Sequence, residues 1–242
     1  MERIVFKVSE NINLNNNSYL LKLKGDTSAI KNIGEFVEIK IPGFYLNRPI
    51  SICYFDDKFI YLLIKKVGNG TKFLSNIKEG EDLVIYVGLG NGFTDLSLKP
   101  LIIAGGIGIA PFIKMIEYYK AKNIKPVLVY GDRTKDNILF LDYLKENTTL
   151  YVTTDDGTLG YKGNPVSFLK ENNLDFDCFY ACGPQVLMKN LGFINTKGYV
   201  SLEARMGCGF GACMGCNIMT TSGSKRVCKE GPIFLASEVI YE

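Results

Sequence analysis

The chain contains no histidine. That absence removes Ser–His and Cys–His catalysis, His-ligated zinc, proximal-His haem and the Rieske type of cluster, which needs two imidazole ligands. No apolar run approaches the roughly 20 residues of a membrane span. The opening stretch, Met1 to Glu10, alternates apolar and polar residues and lacks the apolar block of a signal peptide, so a cytoplasmic location is expected. The formal net charge is only +3, with lysines scattered rather than striped, which argues against a nucleic-acid partner. Without a secretory signal, the seven cysteines are not expected to form a disulfide framework.

What remains is an ordinary soluble composition, 47% apolar and 22% charged, over 242 residues. That length suits one large or two small domains with a real core. From the start to about residue 95, strand-like runs recur at Ile4–Val8, Tyr19–Leu23, Phe36–Ile41, Ile50–Tyr54, Phe59–Lys66 and Leu83–Val87. Turns such as Asn15–Asn17, Pro42-Gly43 and Asp56-Asp57 separate them, and a short helix is expected over Thr71–Lys78. This spacing predicts a small antiparallel barrel or sandwich.

Near Pro100 the texture changes. Leu101–Ala104 is continuously apolar, as a strand buried on both faces must be. Strands at Val127–Tyr130, Leu150–Thr153 and Cys178–Ala181 alternate with helices starting near Pro111 and over Ile138–Lys145, Val166–Lys170 and Gln185–Asn190. Alternation of this kind predicts a parallel α/β sheet. From Gly198 the chain is rich in Gly, Cys and Met. The expected modules are therefore residues 1–97, 98–197 and 198–242.

Four of the seven cysteines, Cys208, Cys213, Cys216 and Cys228, fall within 21 residues with the spacing C-x4-C-x2-C-x11-C. Four thiolates with an x4 and an x2 gap match the opening of a plant-type [2Fe–2S] loop. Gly207, Gly209, Gly211 and Gly215 suit a chain that must turn tightly and aim N–H groups at sulfur. A structural zinc site is the rival, but zinc knuckles usually pair two short Cys hooks, and Cys228 has none of its own. The x11 gap, shorter than in plant ferredoxins, favours a small C-terminal subdomain over a complete ferredoxin domain.

Arg48-Pro49-Ile50-Ser51 stands at a strand entry, where a guanidinium can meet a phosphate; alone, it is equally a surface Arg before a strand-entry Pro. Val67-Gly-Asn-Gly-Thr71 follows at an expected helix start, which offers free N–H groups to a pyrophosphate. Gly105-Gly106-Ile107-Gly108-Ile109-Ala110-Pro111 follows a buried strand and opens a helix. Pro suits the first helical position, and the loop suits a phosphate-bearing ligand, although a ligand-free strand–helix turn would read alike.

In this order, the motifs resemble those of the ferredoxin–NADP reductase superfamily. That resemblance implies FAD contacts at Arg48, Pro49, Ile50, Ser51, Leu63, Ile64, Lys65, Gly70 and Thr71, with Ser51 nearest the flavin N5. It implies that the nicotinamide dinucleotide lies along Gly105, Gly106, Gly108 and Pro111. It also places the Cys182-Gly183-Pro184 signature near the nicotinamide, with Cys182 closest, and Asp132 and Arg133 near the ribose. Cys53 and Cys178 read as buried apolar thiols.

Asp155-Asp-Gly-Thr-Leu-Gly-Tyr-Lys-Gly163 and the short last cysteine gap narrow the resemblance to electron-transfer subunits of class 1B dihydroorotate dehydrogenase. This implies cytoplasmic work with FAD, a [2Fe–2S] cluster and NAD. The implied partner is an FMN-containing catalytic subunit that oxidises dihydroorotate, in a heterotetramer of two plus two. A substrate-oxidising barrel alone needs about 250 residues, so the cluster is expected to face that partner. Phe210 and Met214 either form part of the interface or only shield the cluster. Two alternatives stay open: a sibling reductase subunit serving a ferredoxin transhydrogenase or a hydrogenase, and a zinc-stabilised interaction protein.

Overall fold

The computed structural model describes residues 1–241. Its first half is a closed six-stranded antiparallel barrel. The strands are β1 (Glu2–Asn13), β2 (Ser18–Lys24), β3 (Phe36–Lys40), β4 (Arg48–Phe55), β5 (Phe59–Lys65) and β6 (Asp82–Leu89), in the order β1-β2-β5-β4-β3-β6. Alternation drives closure: Tyr19, Leu21 and Leu23 of β2 and Leu83, Ile85, Val87 and Leu89 of β6 point inward and are buried. Each such side chain contributes about 1.5–3 kcal/mol when fully removed from water.

A short helix, α1 (Asn69–Leu74), leads from β5 towards β6. It ends four residues before the expected Lys78. The Asn11 side-chain amide donates to the carbonyls of Leu74, Ser75 and Ile77, and so ties down the chain where another helical turn would run.

The second half is a seven-stranded sheet in the order β10-β9-β8-β7-β11-β12-β15. Its strands are β7 (Pro100–Gly105), β8 (Val127–Asp132), β9 (Thr149–Thr154), β10 (Tyr161–Lys162), β11 (Cys178–Cys182), β12 (Gly198–Ser201) and β15 (Ile233–Leu235). Every residue of the central strand β7 is buried. The helices are α2 (Phe112–Ala121), α3 (Leu141–Asn147), α4 (Pro165–Glu171) and α5 (Gln185–Lys189). On α2, Phe112, Met115, Ile116 and Tyr119 recur at helical spacing and are buried. Helix α3 starts three residues later than expected, because Phe140 takes a left-handed φ of 57° after a 3₁₀ turn at Lys135–Asn137.

The sheet is not wholly parallel, as the alternation alone suggested. β15 runs antiparallel to β12, and both strands lie from residue 198 onward. The rest of the C-terminal segment forms a three-stranded sheet, β14-β13-β16, from β13 (Asn217–Thr220), β14 (Gly223–Arg226) and β16 (Val239–Ile240). Asn91, just past β6, fastens this segment to the barrel. Its side chain donates to the carbonyls of Glu230 and Ile233 (2.9 and 2.8 Å) and accepts from the Ile233 N–H (3.0 Å). Lys114 of α2 clamps the other junction by donating to the Phe55 carbonyl at 2.7 Å and lying over the Tyr54 ring. Among the described residues, no helix is long and apolar enough to cross a membrane.

Candidate functional site

Two clefts adjoin where barrel and sheet meet. The first holds about 290 Å³ and is lined by Arg48, Pro49, Ile50 and Ser51 of β4, by Leu63, Ile64 and Lys65 of β5, and by Thr71. Gly70 lies behind Arg48: a Cβ there would come within 2.6 Å of the guanidinium Nε, so glycine lets the arginine settle against the loop without having to move. The Thr71 hydroxyl accepts from the N–H groups of Val67 and Gly68 at 2.9 and 3.1 Å and shapes the turn before α1. The walls are mainly apolar, with one guanidinium, one ammonium, two hydroxyls (Ser51 and Thr71) and one carboxyl (Glu203) on them, which suits a ring with a phosphate tail.

The second cleft holds about 550 Å³ at the carboxyl ends of the parallel strands, where open α/β sheets bind ligands. Gly105, Gly106, Asp132, Arg133 and Pro184 line it. Lys65 lines both clefts, which makes them neighbours. Asp132 is braced by the Arg133 N–H (2.6 Å) and the Asn137 amide (3.0 Å), both on Oδ1, while Oδ2 stands 3.3 Å from where a Gly106 Cβ would be. Gly108, Pro111, Cys182 and Gly183 lie off the cleft wall. Gly108 packs against the Cys182 carbonyl, where a Cβ would come within 2.3 Å. Pro111 caps α2 after a 3₁₀ turn over Gly106–Ile109, rather than opening the helix directly. Gly183 backs onto Gly105.

Several lining residues were not singled out from the sequence, chiefly Glu203, with Leu202, Met206, Phe36 and Pro232 in the first cleft and Asn164 and Ser167 in the second. Glu203 lines the first cleft with an exposed side chain, and desolvation by the neighbouring protein pushes its carboxyl above the usual range. It is close enough to act on Cys182, whose thiol burial pushes well up, with the Glu203 charge adding to the rise. A signal existed: Glu203 sits two residues past β12, at the carboxyl end of a parallel strand. Four residues of strand inside a Gly- and Cys-rich tail hid it. Cys53 and Cys178 are buried, as apolar thiols would be.

The four clustered cysteines follow β12 in the C-terminal segment. Cys213 is exposed, Cys208 half-buried, and Cys216 and Cys228 buried. Gly209 and Gly211 adopt φ of 71° and 92°, as does Met214 at 59°, whereas Gly207 and Gly215 do not need the left-handed region. Gly207 and Gly215 instead keep the backbone close to sulfur: a Cβ on either would lie 3.2 or 3.5 Å from Cys213 Sγ. The loop rests on the barrel, since a Cβ on Gly209 would strike the Glu38 carboxyl at 2.3 Å. That carboxylate is buried and accepts from the Asn47 amide, and burial pushes its carboxyl up.

Backbone N–H groups point at the sulfurs. Ala212 and Cys213 donate to Cys208 Sγ (3.2 and 3.4 Å), Gly215 to Cys213 Sγ (3.5 Å) and Cys228 to Cys216 Sγ (3.4 Å). Burial pushes the Cys208 thiol up, but the N–H groups of Cys213, Phe210 and Ala212 and the Cys213 side chain outweigh it and hold it at about 6. Burial and the adjoining Cys216 thiol push Cys228 up to about 12. The thiols thus stand as two neighbouring pairs, Cys208 with Cys213 and Cys216 with Cys228. Among the described residues, no three His, Cys, Asp or Glu side chains gather around a point that a single metal ion could fill. Two thiol pairs cradled by N–H donors fit a cluster in which each of two irons takes two protein sulfurs.

Residues 203–240 match the model of the iron–sulfur cluster binding domain of dihydroorotate dehydrogenase B, and residues 102–191 match that of an oxidoreductase NAD-binding domain. The electron transfer subunit of dihydroorotate dehydrogenase B (NAD(+)) from Fusobacterium nucleatum is 36% identical over 252 residues, 97% of each chain. Its counterpart from Clostridium acetobutylicum is 38% identical over 251 residues, 98% of this chain and 96% of that one. Among solved structures, an NADH-dependent reduced ferredoxin-NADP oxidoreductase studied for flavin-based electron bifurcation superposes with a TM-score of 0.87 at 26% identity, over 98% of this chain and 90% of that one. A ferredoxin NADP+ reductase from Neisseria gonorrhoeae shares the fold, with a TM-score of 0.69 at 14% identity over 80% and 90% of the two chains. Barrel, sheet and adjoining clefts define a flavin- and nicotinamide-dependent oxidoreductase that also carries an iron–sulfur domain. Within that class, the chain belongs to the family of dihydroorotate dehydrogenase B electron transfer subunits. Its cofactors are FAD, an iron–sulfur cluster and NAD.

Proposed function

We propose that this chain receives electrons from an FMN-containing, dihydroorotate-oxidising partner and delivers them to NAD+. The observation that carries this reading is the cysteine loop, which opens on the surface at Cys213 while its other side rests on the barrel that forms the first cleft. When bound, the [2Fe–2S] cluster supplies one-electron transfer, FAD the exchange between one- and two-electron steps, and NAD+ the acceptance of hydride.

The residues divide the remaining work. Arg48 and the turn at Gly70–Thr71 hold the FAD phosphates, and Pro49, Ile50, Leu63 and Ile64 flank the ring. Ser51 presents its hydroxyl to the reacting edge of the flavin. Gly105 and Gly106 let the backbone approach a pyrophosphate, and Asp132 receives the ribose hydroxyls, which favours NAD over its phosphorylated form. Gly108, Pro111 and Gly183 set the close packing behind that loop, and Arg133 lies at its rim. Cys182 and Glu203 sit on the nicotinamide side. Cys208, Cys213, Cys216 and Cys228 ligate the cluster.

We assign three modules, residues 1–97, 98–197 and 198–242, the last lending two strands to the middle sheet. The partner docks over Cys213, between exposed Phe210 and Met214, in a heterotetramer of two plus two that works in the cytoplasm.

Anaerobic co-purification tests this reading. The expected result is a brown-yellow complex that forms orotate only with NAD+, and a separated chain that oxidises NADH with an artificial acceptor but leaves dihydroorotate untouched. Recovery of ferredoxin-transhydrogenase or hydrogenase subunits in place of the FMN partner would overturn the pyrimidine assignment. Zinc in place of iron would overturn the redox reading.

A further inference from the structure

One charged side chain lies between the two cysteine-bearing segments. Arg226 ends β14 two residues before Cys228, and across the hairpin it pairs with Asn217, which follows Cys216. Its Nη1 donates to the Gly211 carbonyl at 2.5 Å, in the middle of the loop that carries Cys208 and Cys213. Its Nε and its own backbone N–H donate to Glu230 Oε2 at 3.0 and 2.8 Å, and Nη2 pairs with Glu230 Oε1. Next along the chain, the Val227 N–H donates to the Cys216 carbonyl at 3.0 Å. One guanidinium therefore fastens the x4 loop to the strand that delivers the fourth cysteine.

The same contacts place a permanent positive charge beside the thiolates. Arg226 lies two residues from Cys228, pairs across the hairpin with the residue after Cys216, and reaches with Nη1 into the loop between Cys208 and Cys213, so its guanidinium stands among all the cysteine-bearing segments. Both carboxylate oxygens of Glu230 engage the guanidinium and hold it in place. A partly exposed i,i+4 ion pair of this kind contributes little to folding stability. The bond to Gly211 and the proximity to the cysteines are what a merely structural ion pair would not need.

We propose that Arg226 is a positioning residue for the cluster: it ties the cysteine loop to the hairpin and sets a fixed positive charge against the cluster that makes it easier to reduce, while Glu230 aims and moderates that charge. This rests on the cluster reading above. Adding an electron adds a negative charge, which a nearby guanidinium stabilises, and net charge and hydrogen bonding around the sulfurs are known levers on such potentials.

A redox titration of the full-length holoprotein, purified anaerobically and followed by electron paramagnetic resonance, tests it. At the native midpoint, Arg226→Gln is expected to lower the reduced-to-oxidised ratio about tenfold with iron retained, equivalent to about 59 mV for one electron. Glu230→Gln is expected to move the ratio the opposite way. Arg226→Lys keeps the charge but not the fork, so its ratio stays near native while iron is lost faster to a chelator. If Arg226→Gln fails to hold a cluster, the rise in Glu230→Gln decides the matter. Unchanged ratios with iron retained overturn the role of Arg226 and leave the cluster reading standing; a native chain without iron overturns both.

Discussion

The strand that carries Arg48 to Ser51 and the loop that carries Cys208 to Cys216 are both assigned to cofactors, yet different forces shape them. β4 is one wall of a closed barrel. It is bonded on both sides, to β3 and β5, and Ile52 is buried in the interior. Its cleft is a by-product of a core that forms whether or not a flavin is present. The cysteine loop has no helix or strand between Met206 and Asn217. Left-handed backbone at Gly209, Gly211 and Met214, N–H bonds to sulfur, and the Arg226 bond to Gly211 give it its shape. A core of apolar side chains tolerates much; a loop made of local devices depends on each of them.

The largest expected effect follows directly. Cys216→Ser removes a buried thiol next to Cys228, proposed above as a cluster ligand, and is expected to abolish iron incorporation and NAD+-coupled orotate formation with the partner. The same variant should keep its flavin spectrum and oxidise NADH with a two-electron acceptor within about twofold of native, because distant sites act independently. Metal analysis and steady-state assays read both arms. Loss of flavin along with iron would break the comparison, since the barrel would then depend on the loop. Next in size is Ser51→Ala, at a residue lining the first cleft, proposed above to hold the flavin. Stopped-flow measurement of flavin reduction by NADH should show a fall of about 10²-fold, with iron and flavin contents unchanged.

The same contrast explains what could be read from the chain. Period-2 alternation in β2 and β6 and the continuous run in β7 betray the barrel and the parallel sheet, because burial dictates those patterns. The cysteine spacing betrays the cluster because ligands are chemically specific. β12, β13 and β14, at four residues each, carry too few alternations to register, and β15 gains its meaning only from its pairing with β12, a strand far back in the chain. Glu203 is hard to read for the same reason: its one signal, a place just past β12, depends on recognising that short strand, and a lone carboxylate matters only once the fold sets it at a cleft. Arg226 likewise reads as any surface arginine until the hairpin register places it beside Cys216.

A smaller effect sharpens the description of the nucleotide cleft. Asp132 is braced by Arg133 and Asn137 with Oδ2 left uncommitted. Asp132→Ala removes the carboxylate that would repel a 2′-phosphate and is expected to narrow the preference for NADH over NADPH by about tenfold in kcat/KM. An unchanged ratio would place the ribose elsewhere.

The smallest effect bears most directly on what shapes the cysteine loop. In the chain stripped of iron, Cys208 keeps its N–H donors only if the loop keeps its shape. With those donors its thiol sits at about 6, so the thiolate is nearly complete at pH 7 and is lost as the pH falls through 6. Cys53, which burial pushes up to about 12, stays protonated throughout that range. Alkylation by iodoacetamide, followed by peptide mass spectrometry, should therefore label Cys208 at a rate that levels off above about pH 7 and halves near 6, while Cys53 stays unlabelled. If Cys208 instead titrates near the 8.5 of an ordinary thiol, the N–H donors do not hold without metal. The local devices would then be consequences of the cluster, and the loop would take its order from iron alone.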